Sequence, residues 1–296
     1  IYAGGHPVFG DISDGSFTLD PEKVKELVEG ETGFKGIMSV HLGGVVCDME
    51  SLKNIADENK LWIIEDACHA LGGEWTDKNG NVHRIGDCSH SDMTIFSFHP
   101  VKQITTGEGG AITTNNKIMY EKLLTLRTHG MTKKPQELKE NHGGWYYEMQ
   151  ELGFNYRMTD IQAALGIEQL KKNDEWIKIR RDLVTQYDEA FTKIGQLKPQ
   201  QHPDINGGYS YHLYILQCEN RAELYQYLKD NGVNTQVHYI PIHLQPFYKN
   251  KYGYGKNDFP LAEKYYDHAL SLPLYPSLSV NEQKFVIESI FEFYGK

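Results

Sequence analysis

The chain has 296 residues, 40% hydrophobic and 24% charged, which by length and composition supports a sizeable core and two domains. Lys+Arg 30 against Asp+Glu 40 give a formal net charge of -10, so the basic footprint of a general nucleic-acid binder is lacking. No apolar run reaches the ~18 residues of a membrane helix, and Cys47, Cys68, Cys88 and Cys218 form no CxxC pair, which argues against a zinc ribbon or a disulfide scaffold.

The opening Ile1-Tyr2-Ala3-Gly4-Gly5-His6-Pro7-Val8-Phe9 reads as a helix tail, a glycine turn and a short apolar strand, so an element already under way at residue 1 suggests preceding chain. It shows neither a basic n-region nor an apolar h-region, and cytoplasm is the expected compartment. Asp20-Pro21 marks a helix start, with a capping carboxylate before proline. Strands are predicted at 36–41, 61–66, 92–98 and 111–114, with helices at 49–59 and 117–128. Strands alternating with helices of ten or more residues predict an α/β fold built on a mostly parallel, doubly wound sheet.

The stretch 131–144 reads as a surface loop with Lys133 and Lys134 solvated. Helical spacing then runs over 158–194, as one helix or a pair. Beyond it, strands at 211–218 and 234–238 and helices at 221–231 and 281–294 predict a smaller α+β unit. The division expected is 1–175 for a large domain and 176–296 for the long helix with the small domain.

Chemistry-bearing residues fall at predicted strand ends, where doubly wound sheets bind ligands. Asp66 ends LWIIED, His69 follows three residues later, Ser97 ends DMTIFSF, and Lys102 lies in the next loop. Gly107, Gly109 and Gly110 come after, matching neither the P-loop nor the dinucleotide fingerprint. Singly, these are an N-cap, a loop histidine, a small core residue, a surface charge and a tight turn. Together they suit pyridoxal phosphate, whose aldehyde needs an amine (Lys102) and whose ring nitrogen needs a carboxylate (Asp66). Ser97 suits the phosphate and His69 the ring. His83, Cys88 and His90 lack a zinc spacing, so no metal is expected.

The segments IIEDACHALGGEW, IGDCSHSDMTIFSFHPVKQITTGEGGAITTN, RTHGM, LGFNYRMTDIQAALGIEQLKK, QVHYIPIH and SLPLY occur in this order along nearly the whole chain. In that vocabulary the chain resembles the DegT/DnrJ/StrS sugar aminotransferases, of fold-type I architecture. The resemblance implies that Lys102 and Asp66 are catalytic and that Ser97 contacts phosphate. It also implies that Asn155 reaches the cofactor of a neighbouring subunit, which makes a homodimer the active unit.

Lysine at 102 favours transamination over the dehydratases of the superfamily, which carry histidine there. CHALG, FSFHPVK, RTHGM and QVHYIPIH are most similar to the pseudaminic-acid branch, which moves an amino group from glutamate to the 4-keto carbon of a UDP-linked deoxysugar. Arg157 then suits an anionic group or a structural ion pair, and His238, Tyr239 and His243 suit sugar contact or strand-edge packing. Against the family pattern the first quarter is missing, including the helix that holds the phosphate. That implies a weakened cofactor site, and it leaves a non-catalytic homologue as the alternative.

Overall fold

The computed structural model describes residues 1–202 and 207–295. Asp20 caps α1 (Pro21–Gly30), its carboxylate accepting from the Glu22 N–H at 2.9 Å. β1 (Gly36–Val40) leads through a 3-10 turn at Leu42–Gly44 to α2 (Met49–Asn59), capped by Asp48. β2 (Trp62–Asp66), the hairpin of β3 (Glu74–Thr76) and β4 (Val82–Arg84), β5 (Met93–Ser97) and β6 (Gly110–Thr113) follow. α3 (Lys117–Leu126) precedes the short pair β7 (Met131–Thr132) and β8 (Glu148–Met149). Next come α4 (Asp160–Leu170), α5 (Asn173–Phe191), β9 (Leu197–Pro199), β10 (Tyr214–Cys218) and α6 (Arg221–Asp230). α7 (Pro246–Tyr252), α8 (Pro260–His268), β11 (Ala269–Leu272) and α9 (Val280–Phe293) complete the order.

The main sheet runs β1-β2-β5-β6, with β1, β2 and β5 parallel and β6 antiparallel at the edge. One face packs Ile37, Ile63 and Phe96 against Met49, Leu52, Ile55 and Ala56 of α2. A second sheet, β11-β10-β9, is antiparallel, and α5, α6 and α9 close over it with Tyr187, Phe191, Leu216, Leu224, Leu270 and Ile290. The mostly parallel sheet and the smaller α+β unit expected from the sequence are both present.

Two expected strands do not form. Val8 and Phe9 line an apolar hollow of about 350 Å³ together with Gly36, Ile37, Met38 and Val40 of β1. Among the described residues neither Val8 nor Phe9 enters a ladder or bridge, and without such pairing a strand does not form. The 234–238 stretch contributes a single bridge, Gln236 to Ser271. The long helical stretch is a pair, broken at Lys171–Lys172, and Thr159 with Gln162 forms a capping box at the start of α4. Lys134 pairs with Glu121 and Glu137, whereas Lys133 stays exposed. Among the described residues no helix is long and apolar enough to cross a membrane.

Candidate active site

Parallel pairing aligns Val40, Asp66 and Ile95 across three strands, so the loops that leave β2 and β5 emerge side by side. This is the sheet end at which α/β folds place ligands. Asp66 is fixed from several directions. Its backbone carbonyl accepts from the His41 N–H at 3.1 Å, and its Oδ1 accepts from the Cys68 N–H at 3.0 Å. The Cys68 thiol is also bonded to this carboxylate, and burial together with Asp66 pushes it up to about 12, so the sulfur keeps its proton and donates.

Under the sheet, Glu65 is held by a buried polar group. The His41 Nε2–Glu65 Oε2 distance is 2.8 Å, Thr94 donates to Oε1 at 2.9 Å, and Ser91 donates to the same oxygen. Burial alone would raise the Glu65 pKa, but these hydrogen bonds outweigh it and hold the carboxyl below its usual value. His41 Nδ1 accepts from the Cys47 N–H at 3.2 Å, so the ring proton is on Nε2, directed at Glu65. The strand that carries Asp66 is thereby locked one residue before it.

Lys102 stands in the turn after β5, its N–H donating to the His99 carbonyl at 2.9 Å. Half-burial lowers its pKa from the ordinary lysine value, and Cys68 and Asp66 partly restore it. Asp66 acts on it by charge, and among the described residues no hydrogen bond or ion pair joins the Lys102 amine to the Asp66 carboxylate.

Three imidazoles lie close enough to Lys102 for its charge to lower their pKa values. His69 Nδ1 accepts from the Gly43 N–H at 3.3 Å, and Nε2 lies 3.4 Å from the Tyr239 hydroxyl. Burial, reinforced by Lys102, lowers His69 to about 3, so the ring is neutral with its proton on Nε2. His212 packs on it at 4.4 Å between ring centroids and is driven well below its usual value by burial, then by His69 and Lys102. His238 Nδ1 lies 2.8 Å from the Ser271 hydroxyl, and its pKa is lowered by burial and then by Lys102. Neutral rings leave Lys102 as the positive group nearest Asp66 in this cluster.

The structure thus gathers Asp66, His69, Lys102, His238 and Tyr239 from the sequence-predicted set. It adds Cys68, His212, Gln103 and Ser210, which local patterns do not single out. Ser97 sits at the β5 terminus, its Oγ accepting from the His99 N–H at 3.3 Å, which leaves the hydroxyl proton to donate. His243 lies in a 3-10 turn at Ile242–Leu244, buried against Glu263 at 3.0 Å and against Phe259, and among the described residues it shares no hydrogen bond or ring contact with the lysine group. Asn155 and Arg157 are exposed on the segment after β8, among exposed Leu152, Phe154 and Tyr156. They likewise share no contact with the lysine group of their own chain. The donor set fits pyridoxal phosphate: a deprotonation-prone amine, a carboxylate on the neighbouring loop, a hydroxyl donor and neutral imidazoles.

A model of the DegT/DnrJ/EryC1/StrS aminotransferase family matches residues 1–291. The spore coat polysaccharide biosynthesis protein SpsC of Bacillus subtilis is 39% identical, covering 98% of this chain and 74% of its own length. The UDP-4-amino-4,6-dideoxy-N-acetyl-beta-L-altrosamine transaminase of Campylobacter jejuni is 36% identical, covering 100% of this chain and 75% of its own. Among solved structures, Helicobacter pylori PseC, an aminotransferase of pseudoaminic acid biosynthesis, superposes with a TM-score of 0.88 at 29% identity, over 99% of this chain and 75% of that one. Other structures with this fold include a PLP form and a PMP form. The chain spans about three quarters of the length of these relatives.

Proposed function

This chain belongs to the DegT/DnrJ/EryC1/StrS aminotransferase family, and we propose that it moves an amino group from glutamate to the 4-keto carbon of a UDP-linked deoxysugar, in the making of pseudaminic acid or a related surface sugar. The family is one of sugar aminotransferases dependent on pyridoxal phosphate, and the fold is that of type I enzymes using this cofactor. The observation that carries the reading is the half-buried Lys102 amine and the Asp66 carboxylate brought to the same sheet end by the adjacent strands β5 and β2, with neutral imidazoles close enough to feel the amine's charge.

When bound, pyridoxal phosphate supplies an electron sink for the pair left on the substrate carbon. Lys102 would hold it through Nζ, and Ser97 would donate to its phosphate. The Asp66 carboxylate, oriented by the Cys68 N–H and thiol, would hold a proton at the ring nitrogen. With its amine free, Lys102 Nζ would take a proton from the donor α-carbon and return one at sugar C4, as base and then acid. Its lowered pKa raises the fraction that is unprotonated near neutrality. His69 and Tyr239 close one wall, and His238 with Tyr239 faces the sugar.

The active unit in this reading is a homodimer, with Asn155 reaching the phosphate in the partner subunit and Arg157 meeting an anionic group there. The supporting feature is the exposed apolar surface around them, in which α3 and α4 bury no residue. The large domain is residues 1–175 and the small one 176–296. To test substrate choice, UDP- and GDP-linked 4-keto-6-deoxysugars are supplied with glutamate and the 2-oxoglutarate released is measured. Turnover with the UDP sugar is expected; preference for the GDP sugar would contradict the assignment.

A further inference from the structure

The lysine loop is shaped by its own hydrogen bonds but stationed by a side chain that belongs to none of the reacting groups. Within the loop, Lys102 N–H donates to the His99 carbonyl, Thr105 Oγ1 to the Phe98 carbonyl at 3.1 Å, and Gly107 N–H to Thr105 Oγ1 at 2.9 Å. All of these join residues a few positions apart, so they set the loop's form without fixing where it stands relative to β2.

Gln103, next to Lys102, makes the crossing. It is only 5% exposed. Its Nε2 donates to the His69 carbonyl at 2.6 Å and to Ser210 Oγ at 3.1 Å, and Ser210 Oγ donates to the same carbonyl at 2.9 Å. These three bonds close a ring that binds the lysine loop, the loop after Asp66 and the chain leading into β10. Gly44 backs the ring so closely that a Cβ there would meet Ser210 Oγ at 2.8 Å and the His69 carbonyl at 2.9 Å.

The arrangement carries a penalty. Gln103 Oε1 is buried and has no partner among the described residues, which destabilises the fold. A methionine would fill the same volume without that penalty, so what the amide contributes is direction. We propose that Gln103 is a positioning residue, clamping the Lys102 loop to the Asp66 loop and thereby fixing the separation of amine and carboxylate. This rests on the reading of Lys102 and Asp66 given above.

The consequence is legible without cofactor. The groups that interact with Lys102 by charge are Asp66, Cys68 and His69 from the β2 loop, His212 ahead of β10, and His238. The histidines are neutral above pH 7, so the amine titrates against a fixed background. Loosening the clamp lets water reach the amine and raises its titration midpoint toward that of free lysine, ~10.4.

The test uses the apo protein, with Gln103→Met and Ser210→Ala. Each is labelled with acetic anhydride across a pH series, and peptide mass spectrometry reads the midpoint of Lys102. We expect the wild-type midpoint to lie below that of free lysine. In Gln103→Met it should rise by about one unit, a roughly tenfold slower labelling at pH 8. Ser210→Ala should shift it in the same direction by less, and it provides the test if the methionine variant fails to fold. Folded variants that keep the wild-type midpoint would overturn the clamp and leave Gln103 as packing. A wild-type Lys102 that titrates like free lysine would overturn the assignment of Lys102 itself, a distinguishable result.

Discussion

Lys102, Asp66 and His69 were readable from the sequence because each follows a strand end, where geometry alone brings loops together. Gln103 and Ser210 were not, since their bonds cross 34 and 107 positions and leave no local pattern. His69 yields a prediction with a definite sign. In the unfolded chain it takes up a proton near 6.5, whereas folded it remains neutral down to about 3. Between those values the unfolded state binds more protons, so stability falls as pH drops through this window. His212 acts in the same direction, and His202, lowered to about 4, adds to it. Urea denaturation of His69→Gln between pH 7 and pH 4.5 should show a shallower loss than wild type. Parallel curves would mean that His69 is not held neutral by the fold.

Strong local signals set the elements accurately: the Asp20 and Asp48 caps start α1 and α2 where expected. Pairing was less legible. Val8–Phe9 and 234–238 have strand composition, yet a strand needs a neighbour at ladder distance, and these have a hollow or a single bridge. The reverse case is α4, whose apolar residues do not point into the core: Ile161 is 84% exposed and Ile167 58%. A helix apolar on several faces requires cover, which the proposed dimer supplies. Ile161→Glu combined with Ile167→Glu should convert a dimer into a monomer in sedimentation analysis while the far-UV spectrum stays unchanged. A wild-type monomer, or a variant that remains dimeric, would contradict that assignment.

At the scale of the whole molecule, a net charge of -10 coexists with a site whose nearest fixed positive group is a half-buried lysine. Phosphate recognition therefore rests on local donors, with no help from a global field. Composition bounded this much, but it did not indicate how the apolar clusters of the main sheet and of the later segment combine. The site draws Asp66 and Lys102 from the main sheet and His212, His238 and Tyr239 from chain beyond α5. Convergence of that kind depends on how α5 and Arg180 hold the later segment: Arg180 Nη1 donates to the carbonyls of Tyr211 at 3.2 Å and Leu274 at 2.8 Å, on either side of β10 and β11. Periodicity shows that a helix exists, and only the folded chain shows what it aligns.

The most direct test of the Lys102–Asp66 pair is borohydride reduction after incubation with pyridoxal phosphate, followed by peptide mapping of the labelled residue. The label should lie on Lys102, and Lys102→Ala should lose both the label and turnover. A label on another lysine, or a Lys102→Ala protein that keeps its visible absorbance and activity, would contradict it.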